Sequence, residues 1–213
     1  MKYDALIDRI FEHFTSKDFS DEVQAAKKHF FDRKVLDDEG PEFEQHLQQF
    51  LDWYIFSRQL NKDKKTPIDR ALMLSDMTSS EEERVGLNNL SQVKHSLYEF
   101  LKVRFNSVYV KDLFTGAKYE LQDSAVNIGF TKEEYFEARL IPHDDNYIFT
   151  RAFCFHPSEA RKYIRSEVKK IKKADAQVKE DFLLRLAKKK FKLVQYKHLK
   201  VEHVYTNEAL VKI

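Results

Sequence analysis

Apolar residues recur at every third or fourth position along the N-terminal third of the chain. The clearest stripe comprises Phe43, Leu47, Phe50, Leu51 and Tyr54 and ends at Arg58. Residues at this spacing share one face, so the stripe predicts an amphipathic helix. Trp53 and Phe56 widen the stripe, and we expect Trp53 to be buried. Similar stripes run through Leu6, Ile7, Ile10, Phe11 and Phe14, and through Val23, Ala26, Lys27, Phe30 and Phe31 towards a break at Gly40-Pro41.

Two further helix starts are marked by capping residues. Thr66 is a good N-cap, because its side chain can accept a hydrogen bond from a backbone N–H of the first turn. Pro67 follows at the first helical position, where the backbone N–H that proline lacks would have no partner within the helix. Ser79 or Ser80 is the second cap, followed by the three glutamates of residues 81–83 at the positive end of the helix dipole. We therefore predict a bundle of about five helices over residues 1–95.

The pattern changes to a period of two between residues 97 and 121, which predicts strands. Thr115-Gly116 suits the connecting turn, because glycine tolerates a positive φ. The side chains expected on the core face are Tyr109, Leu113, Tyr119 and Leu121. A further strand is predicted over 125–130, and a second hairpin turns at His143–Asn146. Short strands in quick succession predict a five-stranded antiparallel module resembling a small barrel or half-barrel over residues 96–156.

The C-terminal segment, residues 157–213, returns to helix, with Pro157 and Ser158 at its start and Glu159 in its first turn. The sequence thus predicts an α+β fold in three parts: a helical bundle (1–95), a small β-barrel-like module (96–156) and a basic helical region (157–213).

Several short motifs resemble an uncharacterised bacterial protein family. They are "FLDWYIFSRQL", "KTPIDRAL", "SLYEFLKV", "VYVKDLFTGAKYEL" and "FEARLIP", which fall within residues 43–142. Members of that family combine a Trp-motif helical segment with a Thr-Pro turn and a small β-module. This chain has "RFNSV" where the family favours a glycine-containing turn, and we expect no Cys-rich metal-binding tail of the kind that some relatives carry. The resemblance implies an architecture, and no activity is assigned to the family.

The composition excludes several classes of protein. A single cysteine, Cys154, cannot form an internal disulfide or a multi-cysteine zinc site, and suits a reducing compartment. Charges interrupt the apolar residues of the first turns, so we expect no signal peptide. No apolar run approaches the roughly 20 residues of a membrane span. We therefore expect a cytoplasmic protein with no membrane span and no disulfide partner.

Charge is unevenly distributed along the chain. Residues 1–95 carry a net charge of −5, residues 96–156 carry −2, and residues 157–213 carry +9. The basic residues that we predict to bind a polyanion are Arg161, Lys162, Arg165, Lys169, Lys170, Lys172, Lys173, Lys188, Lys189, Lys190 and Lys192. Such density suits phosphates contacted without sequence preference, or an acidic protein. It also suits an anionic membrane surface, although the apolar face of the segment lacks the bulk of a membrane anchor. The alternative is a solvated helix whose charges pair with the acidic N-terminal bundle.

The aromatic residues of segment 97–121 raise the question of base stacking. A stacking platform pairs exposed aromatic rings with a positive groove. The β-module carries net negative charge, and alternation places its aromatic residues on a core face. We therefore interpret this hairpin as mainly the wall of a core.

No catalytic or cofactor motif is present. The four glycines lie too far apart for a phosphate-binding loop, and His198 and His203 have the wrong spacing for a zincin helix. Cys154 between two phenylalanines is interpreted as a packing residue. We therefore expect no catalytic residue, no metal and no cofactor, in a non-catalytic protein that binds nucleic acid or an acidic protein. The alternative is an enzyme with a dispersed, metal-assisted site near the His143–Asp145 turn.

Overall fold

The computed structural model describes residues 3–31, 43–105, 107–122 and 134–207. The predicted break at Gly40-Pro41 and the predicted strand over 125–130 lie outside these residues. The fold is α+β, as the sequence predicts. Two compact units are present: unit 1 is Met1–Lys94, Leu140–Asp145 and Thr150–Ala152, and unit 2 is His95–Arg139, Asn146–Phe149 and Phe153–Ile213. The division into three domains stays a prediction.

Unit 1 contains five α-helices within the described residues. They are α1 (Asp4–Phe14), α2 (Ser20–Phe30), α3 (Phe43–Phe56), α4 (Pro67–Ala71) and α5 (Glu81–Ser91), with a 3-10 turn at Lys17–Phe19. Apolar residues of the predicted stripes are buried, as the periodicity predicts, among them Ile10 of α1, Phe30 of α2 and Phe50 of α3. Trp53 is 8% exposed, and its ring centroid lies 5.2 Å from that of Phe30 and 5.3 Å from that of His29.

The predicted helix starts are confirmed by their hydrogen bonds. The Thr66 hydroxyl accepts from the Asp69 N–H, and the Asp69 carboxylate accepts from the Thr66 N–H, so α4 begins with a capping box and Pro67 at its first position. Ser80 is the N-cap of α5, where its hydroxyl accepts from the Glu83 N–H. Both signals are local, which is why the sequence alone locates them.

Five strands form one mixed sheet. They are β1 (Lys94–Arg104), β2 (Ser107–Asp112), β3 (Lys118–Gln122), β4 (Tyr135–His143) and β5 (Asn146–His156), in the closed order β1-β2-β3-β5-β4. β2 is antiparallel to β1 and to β3. The expectation of a wholly antiparallel module needs correction at one point, because β3 meets β5 in parallel at Leu121 and Tyr147. Parallel neighbours require a long connection, and residues 123–145, which include all of β4, separate these two strands in sequence.

The register of β2 corrects the predicted core face. Val108 lies opposite Leu121 and Val110 lies opposite Tyr119, and both valines are buried. Tyr109 therefore points to the other face, where it is half-buried beside Glu120. The prediction was wrong for Tyr109 and correct for Leu121. Gly116 occupies the predicted turn with a φ of +78°.

The helices of unit 2 pack on the sheet. They are α6 (Arg161–Ile171), α7 (Ala176–Gln195) and α8 (Val201–Val204), preceded by a 3-10 turn at Ser158–Ala160. One core joins Leu97 and Tyr135 of the sheet to Ile164 of α6, Leu186 of α7 and Val204 of α8. Because this core holds the apolar face of α6, the opposite face of that helix is left to solvent.

Candidate polyanion-binding surface

Helix α6 separates apolar and basic residues onto opposite faces. Ile164 and Val168 are buried, four residues apart. Lys162, Arg165 and Lys169 recur at spacings of three and four on the opposite face, and all three are exposed. Ser166 shares this face, which therefore contains neither an acidic nor an apolar residue.

The basic face continues beyond the end of the helix. Lys172 and Lys173 lie in the turn that follows α6, and both are exposed. We call Lys162, Arg165, Lys169, Lys172 and Lys173 the basic stripe. Among the residues that the structure describes, none supplies an ion-pair partner for its four lysines.

The one acidic residue of α6 lies outside the basic stripe. Glu167 follows Ile164 by three positions, at the edge of the buried face, and is half-buried. It accepts hydrogen bonds from Lys170 and from the Asn207 amide. Burial opposes the charged form of Glu167, but these two hydrogen bonds outweigh it and lower the pKa of the carboxyl. Lys170 is thus neutralised locally and contributes less to the surface than its position in the sequence suggests.

Arg165 is both exposed and anchored. Its side chain is 62% exposed, yet its Nε donates to the Tyr135 hydroxyl and its guanidinium lies 3.6 Å from Glu99. Arg161 and Arg165 also lie over the Tyr135 ring, at 5.5 and 5.6 Å from its centroid. These contacts fix the two guanidinium groups on the surface at the start of α6.

The predicted basic residues of α7 are more buried than those of the basic stripe, and one of them has a structural role. Lys189 is half-buried, and its ammonium donates to the backbone carbonyl oxygens of Val204 (2.7 Å) and Thr206 (2.8 Å). Burial, with nearby Lys192, lowers the pKa of Lys189. We therefore leave Lys189 out of the proposed binding surface.

The other lysines of α7 are half-buried. Lys190 follows Leu186 by four positions, on the side of the helix that faces the core. Lys188 and Lys192, four residues apart, share a face with Arg185, which is exposed. Arg185 was not among the predicted residues, although its spacing of three from Lys188 and seven from Lys192 was visible in the sequence.

The His143–Asp145 turn occupies the end of the β4–β5 hairpin, in unit 1. His143 Nδ1 lies 3.1 Å from the Tyr3 hydroxyl, and the two rings meet edge to face. Asp144 is exposed and has a φ of +50°, as short polar residues in tight turns often do. The contact with Tyr3 gives His143 a packing role, and His143 Nε2 lies 3.5 Å from Asp144 Oδ2. The alternative of an enzyme with a site at this turn stays a prediction.

Three of the six aromatic residues of segment 97–121 belong to a core, as predicted. Tyr98, Phe100 and Phe114 are buried, and Tyr109 and Tyr119 are half-buried. Phe105 differs, because it lies at the turn with a φ of +53° and is 86% exposed beside the Arg104 guanidinium. The interpretation of the hairpin as a wall therefore missed one exposed aromatic ring.

Comparison with known proteins gives a family and no activity. Residues 2–202 match the Family of unknown function (DUF7986). The chain belongs to this family. This confirms the prediction of a family without an assigned activity. No curated protein and no solved structure matches the chain.

Over the described parts of the chain, every helix is too short or too polar to cross a bilayer.

Proposed function

We propose that this protein is a non-catalytic, cytoplasmic binding protein that contacts the phosphates of nucleic acid through its basic stripe. The observation that supports the proposal is the solvent face of α6, on which every charged residue is basic. The single cysteine, Cys154, is buried and cannot form a disulfide within the chain, in keeping with a reducing compartment.

The spacing of the stripe suits a nucleic-acid backbone. Lys162 and Lys169 are separated by about 10 Å along the helix axis, at 1.5 Å per residue. That distance is roughly the axial rise of three nucleotides of one strand. Lysine acts as a mobile point charge rather than a reader of base edges, so we expect affinity without sequence preference.

The composition of the stripe favours nucleic acid over an acidic protein. Protein interfaces are built around a desolvated centre enriched in aromatic and other apolar residues. The exposed face of α6 offers only charged and hydroxyl groups at Lys162, Arg165, Ser166 and Lys169. Phosphate contacts need no apolar centre, because release of counterions supplies most of the free energy.

The direct test is binding at low salt. Fluorescence anisotropy with labelled single- and double-stranded RNA and DNA, at about 50 mM salt where electrostatic contacts are strong, should show binding by the full chain. Polyglutamate is the competitor that represents an acidic protein. Binding to polyglutamate with no binding to any nucleic acid would overturn the proposal in favour of a protein partner, and binding to neither would overturn it altogether.

A further inference from the structure

Unit 2 gathers three potential metal ligands at a buried point of the sheet. Cys154 and His156 lie two residues apart on β5, so their side chains share one face. Glu137 comes from β4. One donor atom from each of these residues lies within 4.8 Å of the other two, and all three residues are buried.

The histidine of this group is held from both sides. His156 Nε2 lies 3.0 Å from Glu137 Oε1, and His156 Nδ1 lies 2.9 Å from the Tyr205 hydroxyl. Tyr205 is itself buried in the core of unit 2. Metal-binding histidines have the same arrangement, in which an outer hydrogen bond to one ring nitrogen fixes the ring while the other nitrogen binds the metal.

We propose that Glu137, Cys154 and His156 form a zinc site, with Tyr205 as the residue that positions His156. Carboxylate, thiolate and imidazole are all common ligands of Zn²⁺. Tetrahedral zinc with bonds of roughly 2.0–2.3 Å keeps neighbouring ligand atoms about 3.3–3.8 Å apart. Donor atoms within 4.8 Å of one another would reach this geometry through shifts of about 1 Å.

The charges of the group also suit a divalent ion. A thiolate at Cys154 and a carboxylate at Glu137 balance the two positive charges of zinc, so the buried site is neutral. Burying an unbalanced charge would be costly. Three protein ligands leave the fourth tetrahedral position to a water molecule. This site departs from the sequence-based expectation of no metal, and it does not rest on the proposed binding of nucleic acid.

The test is metal binding by the full chain after treatment with a chelator. Zinc should bind with a stoichiometry of one, measured by competition with a chromogenic chelator. Cobalt should give the near-ultraviolet charge-transfer band of a thiolate ligand. Cys154→Ser should lose that band and weaken zinc binding by more than the roughly 10- to 100-fold expected for loss of an outer hydrogen bond in Tyr205→Phe.

A matched control removes histidines that lie elsewhere in unit 2. His198 and His203 are exposed, and the double variant His198→Gln/His203→Gln should bind zinc as the wild type does. Unchanged affinity in a folded Cys154→Ser variant would overturn the proposal. If circular dichroism shows that this variant does not fold, the wild-type cobalt spectrum decides, because a spectrum without the thiolate band excludes Cys154 as a ligand.

Discussion

The ammonium group of Lys189 lies 2.7 Å from the backbone carbonyl oxygen of Val204 and ties α7 to the last residue of α8. A second hydrogen bond runs from the same nitrogen to Thr206. Carbonyl groups at the end of a helix lack intrahelical partners, and a lysine is a suitable donor to them. Within a run of three lysines in the sequence, this one therefore has a structural role.

Replacement of this lysine should destabilise unit 2 without affecting nucleic-acid binding. Lys189→Met keeps the length of the side chain but leaves both carbonyl groups without their charged donor. We expect a loss of about 1–3 kcal/mol in the free energy of unfolding, measured by urea denaturation. Lys197→Met, at an exposed position beyond the end of α7, is the control and should change stability by no more than about 0.5 kcal/mol. An equal loss in both variants would contradict the assigned role of Lys189.

The run of lysines illustrates what the sequence does not reveal. Residues 188–190 look alike in composition, and only the carbonyl groups of residues 204 and 206 distinguish the middle one. Tyr109 was assigned to the wrong face for a similar reason, since a shift of one residue exchanges the two faces of a strand. The pairing of Val108 with Leu121 decides the face. Helix caps depend on residues within three positions of each other, and these were predicted correctly.

The candidate zinc site, too, could be predicted only in part from the sequence. The spacing of Cys154 and His156 was visible in the sequence and places both on one face of a strand. Glu137 joins them only through the packing of β4 and β5, and Tyr205 only through the position of α8. Two potential ligands at this spacing are common in protein sequences. The third ligand, which makes them a candidate metal site, is brought to them only by the fold.

Trp53 should report on the core of unit 1. Trp53 is 8% exposed and packs against the ring of Phe30. Its fluorescence emission should therefore be blue-shifted, and iodide should quench it poorly. Trp53→Ala should lower the free energy of unfolding by about 3–5 kcal/mol through loss of apolar contacts and formation of a cavity. Val85→Ala, on the exposed side of α5, should change it by no more than about 0.5 kcal/mol. Full quenching of the wild-type emission by iodide would contradict this packing.

The ion pair between Arg9 and Glu83 should make stability depend on pH. Two hydrogen bonds of 2.8 Å join the guanidinium to the carboxylate, and Ser79 donates two more. The hydrogen bonds from Arg9, followed by those from Ser79, lower the pKa of Glu83 to about 2. A lowered pKa in the folded state means that the carboxylate stabilises the fold above the ordinary pKa of 4.5 and loses that effect as the pH falls towards 2.

The measurement compares the thermal midpoints of the wild type and Glu83→Gln between pH 7 and pH 2. The wild type should be more stable at pH 7, and the difference should shrink below about pH 4.5. Glu82→Gln, an exposed neighbour in the same first turn, should show no such trend. A difference that stays constant down to pH 2 would show that Glu83 acts through packing rather than through charge.

The salt dependence of nucleic-acid binding tests the central proposal most directly. The key variant replaces the four lysines of the basic stripe, Lys162, Lys169, Lys172 and Lys173, by Gln, whose helix propensity is close to that of Lys. The control makes the same change in charge at four exposed lysines of unit 1, Lys17, Lys27, Lys28 and Lys62.

The quantity to compare is the slope of log K against log salt concentration. If all four lysines of the stripe contact phosphates, the slope should become shallower by up to about 3–4 in the key variant. The control should keep the wild-type slope. Equal slopes in the wild type and the key variant, or an equal reduction in both variants, would contradict binding through the basic stripe.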